Sequence, residues 1–169
     1  MPGFKNRKTR RKKLEELIVH SLTRRKQTLA LAESCTGGGI ADCLTNVPGA
    51  SGVFPGGVVT YSDEAKQNLL NVRAETLLKH GAVSKAVARE MAEGALKKFR
   101  ADYAIAVTGV AGPTGGTPAK PVGTVFIALA TKQGAKVWKK FNPAGRLNFK
   151  KLTAKQALEQ LYFQLKRSK

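Results

Sequence analysis

Residues 33 to 39, Glu33-Ser34-Cys35-Thr36-Gly37-Gly38-Gly39, set an acid, a hydroxyl and a thiol immediately before a run of glycines, at the end of the apolar stretch Leu29-Ala30-Leu31-Ala32. One reading is a tight turn between a strand and a helix, with glycine supplying positive φ or close helix–sheet packing. The other is a nucleophile at a helix N-terminus, where backbone N–H groups can hold a developing oxyanion or a phosphate. The N–H groups of the turn at Thr36, Gly37 and Gly38 are the candidate donors.

Familiar hydrolytic schemes are narrowed by counting. A Ser-His-Asp triad needs a histidine, and the chain has two, His20 and His80. His20 falls inside an amphipathic helical pattern and His80 in a helix-ending turn, so neither is placed for catalysis. No cluster of His, Cys, Asp and Glu has metal-ligand spacing, and no P-loop lysine follows a glycine turn. No metal or cofactor is therefore expected.

A serine with a lysine base remains. Lys66 lies early in a helix opened by Ser62, Asp63 and Glu64, near the positive end of the helix dipole. There a neutral amine gains over an ammonium ion, while the two acids partly offset the effect. Ser34, Cys35 and Ser62 are all candidate attacking groups, and spacing does not choose among them. Tyr61 is a candidate hydroxyl relay, or a half-buried strand aromatic. Thr108 and Gly109 stand at a second strand-to-glycine turn. Arg146 suits a phosphate or carboxylate, although a lone arginine is also an ordinary surface residue.

The elements that must position these groups follow from hydrophobic periodicity. Leu14, Leu17, Ile18 and Leu22 mark a helix over 14–26, and a strand is expected over 29–33, ending at the glycine-opened helix. Residues 47–57 read as a Pro/Gly loop and 58–62 as a strand; the helix carrying Lys66 follows, with Ser62 as its cap. An amphipathic helix capped by Ser84 spans 83–99, and a buried strand over 102–112 runs into the second glycine turn. A hairpin over 123–141 turns at Gln133-Gly134, and a last helix begins near Phe149. Alternating strands and helices predict a three-layer α/β/α sandwich around a mixed, mostly parallel sheet, with both glycine turns side by side at its carboxyl edge.

At 169 residues, 42% of them hydrophobic, the chain suits one α/β domain over 14–169 behind a basic tail, 1–13, read as solvated or disordered. No apolar run approaches the roughly 18 residues of a membrane span, and no apolar segment follows the basic N-terminus as in a secretory signal. A cytoplasmic protein is expected. Cys35 and Cys43, about 12 Å apart along one predicted helix, are too distant for a disulfide.

The formal charge of +19 is the most unusual global property. Lysines and arginines fill the stretch before Glu15, and Lys166, Arg167 and Lys169 close the chain. Such a field attracts polyanions without sequence preference, and non-specific contact through the basic tail is expected. Aromatic residues make up 7% of the chain, and no basic–aromatic interleaving stands out, so a base-stacking platform is not expected.

Taken together, "AESCTGG", "VTYSDEAK", "HGAVS", "VTGVAGPTGGTPAKPVGTV" and the last helix behind its arginine resemble the CinA C-terminal domain family, in that family's order, from about residue 14 to 165. Stand-alone members of that family are nicotinamide mononucleotide deamidases. The resemblance implies hydrolysis of the carboxamide of nicotinamide mononucleotide to nicotinate mononucleotide and ammonia, without metal, in pyridine-nucleotide recycling. It matches the family's nucleophile to Ser34, its general base to Lys66 and its assisting tyrosine to Tyr61. Its substrate-binding threonine and arginine match Thr108 and Arg146, and the resemblance implies a homodimer or larger homo-oligomer. A different class of function, a non-catalytic nucleic-acid-associated or ligand-binding module using the basic surface, is the alternative.

Overall fold

The computed structural model describes residues 12–167. The expected tail therefore lies outside the described residues, except for Lys12 and Lys13. The backbone N–H of Lys13 donates to Glu16 Oε2 at 3.1 Å, closing the start of the first helix.

In chain order the elements are α1 (Leu14–Arg25), β1 (Leu29–Glu33), α2 (Gly39–Thr45), β2 (Gly56–Val59), α3 (Asp63–Leu70), α4 (Ala74–His80), α5 (Lys85–Phe99), β3 (Tyr103–Gly109), β4 (Thr124–Thr131), β5 (Gly134–Phe141) and α6 (Arg146–Arg167). A single turn of 3₁₀ helix over Ala50–Gly52 joins α2 to β2. The sheet order is β2-β1-β3-β4-β5. This is the expected α/β/α sandwich, with one correction: β1 pairs parallel with β2 and β3, whereas β3–β4 and β4–β5 pair antiparallel, so the sheet is not mostly parallel. The cause is the connection after β3, which is an irregular glycine-rich loop; without a crossover helix, β4 returns beside β3 in the opposite sense.

The sheet sorts its side chains by size. In β1, Leu29 and Leu31 pack on one face with α1, α2 and α6, while Ala30 and Ala32 face α3, α4 and α5. The same alternation gives Ile105 and Val107 against Ala104 and Ala106 in β3, and Ile127 and Leu129 against Ala128 and Ala130 in β4. The alanine face lets α5 lie close, burying Val87, Ala88, Met91, Ala92 and Ala95. On the far side of α5, a Cβ on Gly94 would stand 2.1 Å from the Leu70 carbonyl oxygen, so only glycine admits α3 at this distance. That close approach fixes the helix that carries Lys66.

Three elements depart most from the sequence expectation. β2 runs over Gly56–Val59 rather than 58–62, because Gly57 fits beside Leu31, where a Cβ would stand 2.8 Å from the Leu31 Cβ. β3 stops at Gly109, and α6 starts at Arg146 rather than near Phe149. The Phe149 N–H already donates to the Gly145 carbonyl at 2.9 Å; periodicity finds the first apolar residue of a helix, not its first hydrogen bond.

Candidate active site

Parallel pairing places the ends of β1 and β3 together. Glu33 pairs with Val107, and the Ser34 N–H extends the ladder by donating to the Val107 carbonyl at 3.1 Å. On the other side of β1, the Thr60 N–H donates to the Glu33 carbonyl at 2.8 Å. Ser34, Thr60 and Thr108 thus arrive at one sheet edge, the carboxyl edge where open α/β folds build their clefts.

Beyond Ser34 the chain turns sharply, with Gly37 at φ +60° and Gly38 at φ +93°, conformations that side chains resist. Glu33 organises the turn from within. Its buried carboxylate accepts from Thr36 Oγ1 at 2.5 Å and from the N–H groups of Gly38, Ile40 and Ala41 at 3.0, 3.1 and 2.8 Å. The acid in the opening motif is therefore the cap of α2, a role that its strand-end position did not disclose. This corrects the expected oxyanion donors as well. The Gly38 N–H is held by Glu33, the Gly37 N–H donates to the Ser34 carbonyl at 3.0 Å, and the Thr36 hydroxyl is turned onto Glu33. Among the described residues, the N–H groups of Cys35 and Thr36 are the ones in this turn without an acceptor.

The three candidate nucleophiles separate by environment. Ser62 Oγ accepts from the Ala65 N–H at 3.0 Å, so that hydroxyl is the cap of α3. Cys35 is buried, and desolvation pushes its thiol up to about 12, which leaves almost no thiolate near neutral pH. Ser34 is 8% exposed at the cleft wall, and its hydroxyl is neither a cap nor a helix partner.

Lys66 is among the largest fully buried side chains of the protein. It leans toward the N-terminus of α3, as helical side chains do, and Nζ donates to the carbonyl oxygens of Thr60 at 3.1 Å and Ser62 at 3.3 Å, with Asp63 Oδ1 3.6 Å away. Burial lowers its pKa below the ordinary lysine value, and the Asp63 carboxylate opposes that shift. A neutral amine satisfies both carbonyls with its two N–H bonds and keeps its lone pair for a third direction. Ser34 and Lys66 make no hydrogen bond to each other in this structure, although both line the same cleft.

The rim is built from three distant segments. Arg146, the first residue of α6, donates from one guanidinium nitrogen to the Gly112 carbonyl at 2.9 Å and from the other to the Tyr61 hydroxyl at 2.5 Å. Tyr61 is 59% exposed and lies beyond the end of β2, so it is a rim residue rather than a half-buried strand aromatic. Thr108 is buried and its hydroxyl donates to the Ala82 carbonyl at 2.9 Å, leaving lone pairs as its offering to a ligand. Gly109 admits β4, since a Cβ there would stand 2.7 Å from the Thr124 carbonyl oxygen.

Ser34, Tyr61, Lys66, Thr108, Gly109 and Arg146 line one cleft of about 280 Å³. Thr36, Gly37 and Gly38 are not among the residues that line it, and they follow Ser34 and Cys35, which do. Asp63 and Ala82 line it too, and sequence reasoning did not place them there; Gly112 lines it from the second glycine turn, which was expected at this edge. Asp63 had a signal, as an acid three residues before the candidate lysine; Ala82 had none. Lys120 is tied to the His80 carbonyl at 2.6 Å, away from the cleft lining, and His20 and His80 are surface residues. Among the described residues no three His, Cys, Asp or Glu side chains gather as a metal-binding group.

Comparison with known proteins agrees with this architecture. A sequence profile of the CinA C-terminal domain matches residues 11–165. A CinA-like protein of Thermotoga neapolitana is 50% identical over 155 residues, 91% of this chain and 38% of that protein. A CinA-like protein of Chlorobaculum tepidum is 56% identical over 119 residues, 70% of this chain and 28% of that protein. The chain thus spans about two fifths or less of these curated relatives. Among solved structures, a competence-damaged protein (CinA) superfamily protein from Klebsiella pneumoniae superposes with a TM-score of 0.88 at 38% identity, covering 91% of this chain and 96% of that one. The competence/damage inducible protein CihA from Agrobacterium tumefaciens superposes at 0.84 with 40% identity, covering 98% and 99%.

Proposed function

The chain belongs to the CinA C-terminal domain family, and from that premise we propose that it is a serine–lysine amidohydrolase that converts nicotinamide mononucleotide to nicotinate mononucleotide and ammonia. The observation that carries the proposal is the pairing of a buried, carbonyl-held Lys66 with Ser34 in the wall of one cleft. Burying a lysine is costly unless its charge is discarded or used, and a lysine kept neutral is a base.

In this reading Ser34 Oγ attacks the carboxamide carbon while its proton passes to Lys66 Nζ, directly or through the Tyr61 hydroxyl. The carbonyl oxygen takes the negative charge of the tetrahedral intermediate, and the N–H groups of Cys35 and Thr36 are the donors left to receive it. Collapse breaks the C–N bond, and Lys66 returns the proton to the departing ammonia. Water then hydrolyses the acyl-serine ester, with Lys66 accepting its proton, to release the carboxylate. Thr108 accepts from the bound substrate and Arg146 receives the phosphate, for which a planar guanidinium offers paired, charge-assisted donors. A cleft of about 280 Å³ sits at the small end of the range for small-molecule sites, which suits a mononucleotide better than a dinucleotide.

The test is release of ammonia from nicotinamide mononucleotide by the purified chain, with formation of nicotinate mononucleotide followed in parallel. Turnover that disappears in Ser34→Ala supports the proposal. A folded wild-type protein that releases no ammonia refutes it.

A further inference from the structure

Along α6 from Arg146, about 25 Å away by helix rise, the chain forms a second surface of different character. A hollow of about 460 Å³ between edge strand β5 and the C-terminal half of α6 has Lys136, Trp138, Gln160, Phe163, Lys166 and Arg167 in its lining. It shares Lys136 with a neighbouring hollow of about 520 Å³ that runs past Leu129 and Thr131, so the two form one groove along the strand.

The strand decides which residues meet there. Lys136 pairs with Leu129 and Trp138 with Ile127, both of which lie in the core cluster shared with α6, so Lys136 and Trp138 stand on the α6 face of β5. From α6, Gln160, Phe163 and Arg167 present one helical stripe at spacings of three and four. Lys166 is held 5.0 Å above the ring of Tyr162. Phe163 is 57% exposed. No acid lines the hollow; Glu159, the nearest on α6, faces Lys155 at 3.9 Å.

We infer that this groove binds single-stranded nucleic acid, its bases stacking on Trp138 and Phe163 and its phosphates meeting Lys136, Lys166 and Arg167. Lysines on an edge strand also discourage sheet-to-sheet pairing, but that role needs no aromatic residue between them. A second copy of the chain is disfavoured as the occupant, because two cationic grooves without acids repel, in a protein of formal charge +19. A duplex hides the faces of its bases, whereas a single strand offers them alongside its phosphates. Contrary to the expectation from sequence, Lys136-Val137-Trp138-Lys139-Lys140-Phe141 interleaves basic and aromatic residues, and strand alternation puts Lys136 and Trp138 on one side.

Trp138 is the single tryptophan, so its emission reports on the groove alone. The full chain is titrated at several salt concentrations with oligothymidylate and oligouridylate of about ten nucleotides, with a DNA duplex of equal length, and with inorganic polyphosphate. Quenching of Trp138 by one or both single strands, and not by duplex or polyphosphate, is the expected result; the two single-strand arms decide between DNA and RNA. By fluorescence anisotropy, Phe163→Ala should weaken single-strand binding about 5- to 150-fold, the range of one lost base stack. Lys136→Gln should lower the salt slope by about 0.7. Phe163 and Lys136 are surface residues, so both variants should keep the wild-type Tm, and Ser34→Ala should bind as wild type does. Equal quenching by all four polyanions, no quenching by any, or single-strand affinity unchanged in Phe163→Ala would overturn the inference and leave only diffuse charge attraction.

Discussion

Arg146 and Tyr61, 85 residues apart in sequence, meet at 2.5 Å across the mouth of the cleft, with the guanidinium donating to the phenol oxygen. Arg146 also holds the Gly112 carbonyl, so one side chain ties the start of α6 to the β2–α3 connection and to the glycine-rich loop.

If Arg146 receives the substrate phosphate, removing it should matter only when a phosphate is present. Arg146→Ala is expected to lower kcat/KM for nicotinamide mononucleotide by roughly 30- to 1,000-fold, the loss of about 2 to 4 kcal/mol of charge-assisted contact, while turnover of nicotinamide riboside barely changes. Tyr61→Phe retains the ring and should cost the mononucleotide reaction less. Equal losses of both substrates in Arg146→Ala would move the phosphate site elsewhere.

The pH profile should report Lys66. Its pKa is lowered mainly by burial, and the base must be neutral, so kcat/KM should rise with pH through that lowered pKa. Asp63 favours the charged form, so Asp63→Asn should move the rising limb to lower pH. Lys66→Met should remove the limb and most of the rate. Between the folded and unfolded pKa values of Lys66 the unfolded chain binds more protons than the folded one, so stability contributed by this site rises with pH. Within and below that window the folded state bears the cost of discharging or burying the ammonium, so Lys66→Met should hold or raise the Tm, as thermal denaturation can check. A large fall in Tm would mean that the ammonium is structural.

Ser34 and Cys35 should divide cleanly. Ser34→Ala is expected to abolish ammonia release with an unchanged Tm, whereas Cys35→Ser keeps measurable turnover. With its thiol pushed up to about 12, Cys35 should resist iodoacetamide at pH 7.5, as peptide mass spectrometry would show. Rapid modification of Cys35, or an active Ser34→Ala enzyme, would reverse the assignment.

Glu33→Ala leaves the Gly38, Ile40 and Ala41 N–H groups and the Thr36 hydroxyl without their acceptor inside the protein. Destabilisation on the order of 4 kcal/mol is expected in denaturant unfolding, since each donor left unpaired costs about 1 kcal/mol. Glu33→Gln keeps one acceptor oxygen and should lose less. Unfolding curves that coincide with wild type would show that the turn holds itself.

Local pattern alone was enough for much of this protein. Alternation and helical periodicity identified the sandwich, the Ser62 and Ser84 caps and the two glycine turns, because period, capping and glycine placement are properties of neighbours in the chain. The order of motifs identified the family. Depth, partnership and sense were decided by tertiary structure. Lys66 reads as a candidate base from its place at the start of a helix, but its burial shows only once α5, approaching at Gly94, fixes the helix that carries it. Glu33 reads only as the acid of a strand-end motif until the turn folds its amides back onto the carboxylate, and no local pattern pairs Tyr61 with Arg146, whose guanidinium α6 brings to its hydroxyl. The β4–β5 hairpin was legible, but the antiparallel pairing of β3 with β4 depended on a loop with no periodic signal. Burial, pKa and hydrogen-bond partnership arise where segments far apart in sequence meet, and a one-dimensional pattern carries no term for which segments those are.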